Sequence, residues 1–189
     1  MTRVRFRGQA LLDALLDIPI VLPPLVIGIS LLILFQAPPL RALERIFPVT
    51  YAVPSVILAQ FMVACAFAVR TMRATFEQIS PRPEQVALTL GCNRSEAFWR
   101  VVLPSARRGI LTAATLAWAR ALGEFGPILI FSGATRMKTE VLPTTVFLEL
   151  SVGNLEAAVA VSLLMVIAAV AVLLLIRGYG LNSTLNRPL

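Results

Sequence analysis

The chain is 189 residues long, 58% hydrophobic and only 14% charged, against roughly 45–50% and about 25% in an average soluble domain. These proportions exclude a disordered chain, which needs low hydrophobicity and high charge, and argue against a soluble globular domain. The formal charge of +7, from 17 Lys and Arg against 10 Asp and Glu, would point to nucleic acid in a soluble protein. In an apolar chain the first question is on which side of a membrane the positives sit.

The amino-terminal stretch carries Arg3, Arg5 and Arg7 against Asp13 and Asp17. No small-residue cleavage site follows it, so a cleaved signal peptide is not expected. Four apolar stretches then meet the length of about 17–25 residues that a membrane helix needs. The first, about 18–35, is uncharged but interrupted by Pro19, Pro23 and Pro24, with Gly28 close behind. Proline removes a backbone donor and kinks a helix. That leaves either a kinked packing helix or one that shapes a translocation path. The second stretch, about 51–69, is uncharged. The third, about 109–131, contains Arg120 and Glu124, and the fourth, about 157–176, is uncharged. The expected fold is therefore all-α and integral to the membrane, a single domain over residues 1–189.

Loop charges give the orientation. The loop 36–50 holds Arg41 and Arg45, and the loop 132–156 holds Arg136 and Lys138 beside Glu140, Glu149 and Glu156. The loop 70–108 holds Arg70, Arg73, Arg82, Arg94, Arg100, Arg107 and Arg108, and the tail holds Arg177 and Arg187. Counting Lys and Arg places both termini and the 70–108 loop in the cytoplasm. The positive charge is thus explained without nucleic acid. Asn-x-Ser/Thr matches at Asn93 and Asn182 fall on that same side and are read as chance.

Several chemistries are excluded by what is missing. There is no His, so His-based triads, proton shuttles and metal sites are out. Cys65 and Cys92 are too few and too far apart for a zinc cluster or a disulfide scaffold. No G-x-x-x-x-G-K-[ST] phosphate loop occurs, so the chain should not hydrolyse ATP itself. No cluster of carboxylates or nucleophile with a base suggests an enzyme acting on lipid.

Residues 81–105 read PRPEQVALTLGCNRSEAFWRVVLPS. Glu84 to Leu90 favours a short helix, and Gly91 is placed to end it in a left-handed conformation. Asn93 with Glu96 forms a capping box for a second short helix, expected to run through Phe98, Trp99 and Val102 and to end at Leu103–Pro104. Val86, Leu90, Phe98 and Trp99 are more apolar surface than a solvated loop carries. Some should pack on the membrane domain and some could face a partner.

This loop resembles the EAA loop of binding-protein-dependent ABC importer permeases. Gln85-Val86-Ala87 stands at the acidic-Ala-Ala positions, with Glu84 adjacent. Thr89-Leu90-Gly91 follows, and Val101-Val102-Leu103-Pro104 closes the pattern. Gln85 and Val86 depart from the usual acid and first Ala. The resemblance implies a type I permease fold in which this loop is the coupling helix, with Glu84, Gln85, Ala87, Gly91, Leu103 and Pro104 carrying the contact to the ATPase. Residues 119–126, Ala-Arg-Ala-Leu-Gly-Glu-Phe-Gly, resemble the molybdate- and sulfate-type permeases, molybdate most closely. So do Thr139 to Pro143, residues 147–150, the Leu11–Asp17 stretch and Val21-Leu22-Pro23-Pro24.

That likeness implies a membrane-spanning subunit, not itself an enzyme, of an ATP-driven oxyanion importer in a prokaryotic cell membrane. It further implies a cytosolic ATPase dimer that uses ATP and Mg, a second permease subunit forming a homodimer, and an external oxyanion-binding protein. This chain would bind no cofactor, metal or nucleic acid. The outer-loop residues Arg41, Arg45, Arg136 and Lys138 would be candidate docking points for the binding protein. Sulfate, tungstate or a truncated, non-transporting remnant stay open as readings. Permeases of this kind carry a further helix before the Pro-rich one, missing from the sequence as it starts at Met1. An in-frame apolar run of about 20 codons upstream is therefore expected.

Arg120 and Glu124 are four apart and expected on one helix face, roughly 17 and 22 Å along the helix from Gly109. Charges at such depth face the bundle or water. They are either a structural ion pair or a path-lining site for an oxyanion, in which Glu124 keeps Arg120 from binding the anion too tightly. Gly123 and Gly126 are expected to permit close helix approach.

Overall fold

A computed structural model describes residues 8–185 of the chain. Among them every regular element is helical. Two helices are each long and apolar enough to cross a membrane, and a bent pair makes a third if it counts as one span.

The bent pair occupies the first predicted stretch. Helix α1 (Gln9–Val21) and helix α2 (Pro24–Gln36) meet at 120°. The stretch 18–35 is therefore not one helix. Pro19 is tolerated inside α1; the break falls at Leu22 and Pro23, both with extended backbone. The physical cause is local: the residue before a proline is pushed out of the helical region, and Pro23 and Pro24 supply no amide donors. Pro24 instead sits in the first turn of α2, where a donor is not needed. At 1.5 Å per residue the 13 residues of α2 span about 20 Å, short of the ~30 Å hydrocarbon core.

A short helix α3 (Pro38–Ile46) follows α2, and the Glu44 carboxylate accepts from the Thr50 amide at 2.9 Å. Helix α4 (Val53–Gln78) is 26 residues long and continues past Val69 into its Arg-bearing end. There Arg73 pairs with Asp13 at 2.6 Å and Arg70 with Asp17 at 3.3 Å. These pairs tether α1 to α4.

The third predicted stretch is also divided. After the loop described below, helix α8 (Arg107–Leu122) stops at Gly123, and the short helix α9 (Gly126–Phe131) starts after Phe125. Pro127 is the reason, because its ring and missing N–H prevent α8 from running on. Helix α10 (Leu142–Ser151) turns at Gly153, with φ +78°, into helix α11 (Leu155–Leu185). The 22 residues Leu155–Ile176 are the most apolar of the chain, and the most apolar stretch of them is left unburied by the rest of this chain. Lipid or another subunit must cover that surface.

The core is the meeting of α2, α4 and α9. Ile27, Leu31 and Phe35 come from α2, Val56, Ala59 and Val63 from α4, and Ile128 and Phe131 from α9. Spacings of three and four residues put each set on one helix face. The Phe35 and Phe131 rings meet at 5.3 Å.

Candidate functional site

The Arg-rich loop folds as a rigid knob. Helix α5 (Arg82–Thr89) ends where Gly91 adopts φ +93°. The Gly91 amide donates to the Leu88 carbonyl at 3.2 Å and the Cys92 amide to the Ala87 carbonyl at 3.1 Å. Helix α6 (Arg94–Ala97) is capped as expected: the Glu96 amide donates to Asn93 Oδ1 at 2.8 Å, and the Asn93 amide donates to Glu96 Oε2 at 2.9 Å. The predicted end at Leu103–Pro104 is not there. A π turn (Phe98–Val102) follows α6, then α7 (Leu103–Ser105), then α8. Pro104 lacks an N–H for the fourth carbonyl back, and the Leu103 amide instead reaches Phe98 O, five residues earlier.

The knob has an inside and an outside. Ala87, Ala97, Val102 and Ala106 are buried, and Phe98 packs on Phe76 at the end of α4, ring centroids 6.3 Å apart. Leu90, Trp99 and Val86 point outward, with Leu90 80% exposed. Of the residues that the loop resemblance singles out, Gln85 and Pro104 are exposed, Glu84 and Leu103 half-buried and Ala87 buried. Gly91 has open space where a Cβ would stand. Its glycine is thus required by backbone conformation, not by crowding.

The second cluster gathers where α8 breaks. Arg120 lies in the last turn of α8, and Glu124 lies just past its end, its amide bonded to the Ala121 carbonyl at 3.2 Å. The pair does not share a helix, yet Arg120 Nη1 stands 2.5 Å from Glu124 Oε2. Their exposure differs sharply: the Glu124 side chain is 1% accessible and that of Arg120 28%. Glu124 Oε1 has no hydrogen-bond partner among the described residues. The guanidinium carbon also lies 5.9 Å from the centre of the Phe67 ring, within cation–π range. Arg120 is therefore braced by a carboxylate behind it and a ring beside it.

Gly126 makes the close approach expected of it: a Cβ there would fall 2.9 Å from Pro24 Cβ. Gly123 does not. It is exposed, and a Cβ would meet nothing nearer than the Ala119 carbonyl at 3.8 Å. Its place is the end of α8, where the helix needs a residue that lets it stop.

Sequence reasoning passed over Gln60, in a stretch noted only as uncharged. Its side-chain amide donates to the Ala121 carbonyl at 3.2 Å, tying α4 to the break. A lone amide in an apolar helix was the available signal. Gln60 also lines an open cleft of about 470 Å³ with Leu122, Glu140 and Leu142. Arg136, largely exposed, is paired with Glu149, which also accepts from the Asn154 side-chain amide at 2.9 Å.

Residues 1–180 match the family described as binding-protein-dependent transport system inner membrane component. The chain is 35% identical over 190 residues to the sulfate transport system permease protein CysT of Salmonella typhimurium, covering 99% of this chain and 68% of that protein. It is 37% identical over 182 residues to a probable molybdenum ABC transporter permease protein of Haloferax volcanii, covering 96% and 66%. It is 37% identical over 177 residues to the molybdenum transport system permease protein ModB of Mycobacterium tuberculosis, covering 92% and 67%. The chain thus spans about two thirds of the length of these relatives. With its apolar helices, its proline-broken pair and its folded Arg-rich loop, the chain belongs to the family of inner-membrane permease components of binding-protein-dependent ABC transport systems.

Proposed function

We propose that this chain is the membrane-spanning subunit of an ATP-driven oxyanion importer and that its cargo is molybdate. The observation that carries the oxyanion reading is the asymmetry of Arg120 and Glu124. The carboxylate is buried and the guanidinium half-covered, so an approaching anion meets the cation first. Glu124 neutralises part of that charge from behind. A bare arginine would hold a doubly charged anion, whereas a braced and partly neutralised one lets it pass. Arg120, Gly123, Glu124 and Gly126 form the helix break at which this takes place, and the cleft beside Gln60 is its outer approach.

In this reading the knob 81–105 is the coupling element. Val86, Leu90 and Trp99 offer an apolar face to a cytosolic ATPase dimer that uses ATP and Mg, while Glu84, Gln85, Ala87, Gly91, Leu103 and Pro104 set its shape. A rigid, capped element anchored on α4 through Phe76 can transmit a push without covalent linkage. A second copy of the chain completes the path, and an external binding protein delivers the anion. Both termini lie on the cytoplasmic side with the Arg-rich loop.

Sulfate is the second reading, supported by 35% identity to a sulfate permease over 99% of this chain. Uptake of molybdate by cells with and without the chain, with sulfate and tungstate as competitors, separates the two. Chain-dependent molybdate uptake that excess sulfate leaves intact is expected. Uptake abolished by equimolar sulfate would transfer the assignment to sulfate, and no chain-dependent uptake of either anion would overturn both.

A further inference from the structure

Helix α1 is held on α4 by charge more than by packing. Of its 13 residues Pro19 alone is buried, and Leu11, Leu15, Ile18 and Val21 are exposed. A cleft of about 300 Å³ lies between the two helices, where Leu16, Ala66, Val69 and Ala74 line it together with the charged groups. A close-packed helix interface leaves no such space. Across it Asp13 meets Arg73 at 2.6 Å and Asp17 meets Arg70 at 3.3 Å. The register is antiparallel, so the start of α1 lies beside the end of α4. Partly exposed ion pairs of this kind contribute little each and are screened by salt.

Arg73 differs from Arg70 in having two acidic partners. Its Nη1 faces Asp13 on α1, while its Nε lies 3.1 Å from Glu77 Oε1, one turn along its own helix. If α1 withdraws, Arg73 keeps Glu77 and is not left without a counter-ion. The two carboxylates thus share, and compete for, one guanidinium. A pivot is present as well. Leu22 and Pro23 have extended backbone between α1 and α2, which meet at 120°, and short segments of this kind absorb a hinge rotation. Phe76 lies three residues from Arg73, so on the same side of the last turns of α4. Its ring packs on Phe98 of the knob, centroids 6.3 Å apart.

We propose that Arg73 is a two-position latch. Paired with Asp13 it holds α1 docked on α4; paired with Glu77 alone it releases α1 to pivot about Leu22 and Pro23, and displacement of the knob at Phe76 drives the release. The last step rests on the reading of the knob as the coupling element. Pro24, the first residue of α2, is seated on Gly126, so a pivoting α1 pulls on the break that carries Arg120 and Glu124. The latch gives the knob a second lever on that break besides α4 itself.

The test places spin labels at Ala10 and Gln78, exposed positions near the adjoining ends of α1 and α4, on the full chain in nanodiscs. Their separation is read by pulsed electron resonance. Swinging a helix of about 20 Å by some 30° carries its free end roughly 10 Å, a shift the method resolves. At low salt a single short separation is expected, and raised salt should add a longer one. Arg73→Gln and Asp13→Arg should each add the longer one without salt, and Asp13→Arg combined with Arg73→Asp should restore the short one. Glu77→Gln removes the competing partner, so at raised salt it should return the chain to the short separation. A pair with a merely structural role would not give Arg73→Gln and Glu77→Gln opposite signs. A separation that salt and every charge variant leave unchanged overturns the latch, as does a longer separation in Glu77→Gln. With an ATPase subunit bound, ATP and vanadate should shift the native chain to the longer separation. An ATPase that binds and hydrolyses ATP while the short separation persists overturns the release. An ATPase that does not bind would sink the coupling reading instead, and the charge series on the chain alone still decides the exchange.

Discussion

Gly28 and Pro127 touch backbone to backbone: a Cβ on Gly28 would lie 2.9 Å from the Pro127 Cα. The relationship is reciprocal, because a Cβ on Gly126 would lie 2.9 Å from Pro24 Cβ and 3.1 Å from the Leu25 amide nitrogen. Pro127 is thus seated on Gly28 of α2, and Pro24 on Gly126 of α9. The two interruptions lock α2 to α9.

Gly28→Ala and Gly126→Ala should therefore each destabilise the fold by about 1–3 kcal/mol, the usual cost of forcing extra atoms into a tight contact. Neither clash can be relieved by moving a flexible side-chain end. Gly123→Ala, whose Cβ has room, should cost less than either. Thermal unfolding in detergent, followed by loss of the monodisperse peak on size exclusion, gives the ranking. Equal midpoints for all three would show that the contact yields easily.

Glu124→Gln should impair transport more than insertion. The substitution keeps the shape and removes the charge behind Arg120, so a doubly charged anion is held longer. A change of about 1.4 kcal/mol in the barrier is tenfold in rate, and a loss of uptake on that order is expected with normal membrane levels. Arg120→Gln should lose uptake as well, but through weaker attraction, seen as a raised KM. Normal uptake in Glu124→Gln would remove the pair from the path.

Gly91→Ala and Asn93→Ala should weaken the knob through the backbone. At φ +93° a side chain costs roughly 1–2 kcal/mol, and loss of the Asn93 cap costs about 1 kcal/mol. The membrane helices should be unaffected, so the defect should appear as ATP hydrolysis in a reconstituted transporter that is no longer stimulated by the loaded binding protein. Full stimulation in both variants would separate the shape of the loop from coupling.

Leu90→Asp and Trp99→Asp test the outward face directly. Both side chains are more than half exposed, so an acid there costs the isolated chain little. It should nonetheless reduce co-purification of an ATPase partner, because a charge would be buried at the contact. An unchanged yield of complex would show that the partner sits elsewhere on the loop.

What the sequence disclosed was chiefly local. The Gly91 turn and the Asn93–Glu96 cap are contained within a few residues, and caps act through neighbouring amides, so the motif alone specifies them. The prolines near residue 23 also announced a break. Neither its 120° angle nor the resting place of α1 could be read there, because both depend on Asp13 and Asp17 finding Arg73 and Arg70 some sixty residues away. The overall apolar content of 109–131, despite Arg120 and Glu124, hid the stop at Gly123. Pro127 was the correct sign, overridden by an apolar count that cannot see missing hydrogen bonds. Arg120 and Glu124 were noticed for their cost in lipid. Which of them is buried is a property of packing against α4, and the spacing of four carried no trace of it.

The π turn at Phe98–Val102 has a consequence for how this loop can vary through descent. A π turn holds one residue more than an α turn of the same rise, and one residue amounts to about 100° of rotation about the helix axis. Deleting any single residue between 98 and 102 would close the turn and swing the knob by that angle against α8. Leu90 and Trp99 would then face a different quadrant, though every side chain outside the deletion remained. Related chains should therefore exchange amino acids in this segment far more readily than they lose or gain one.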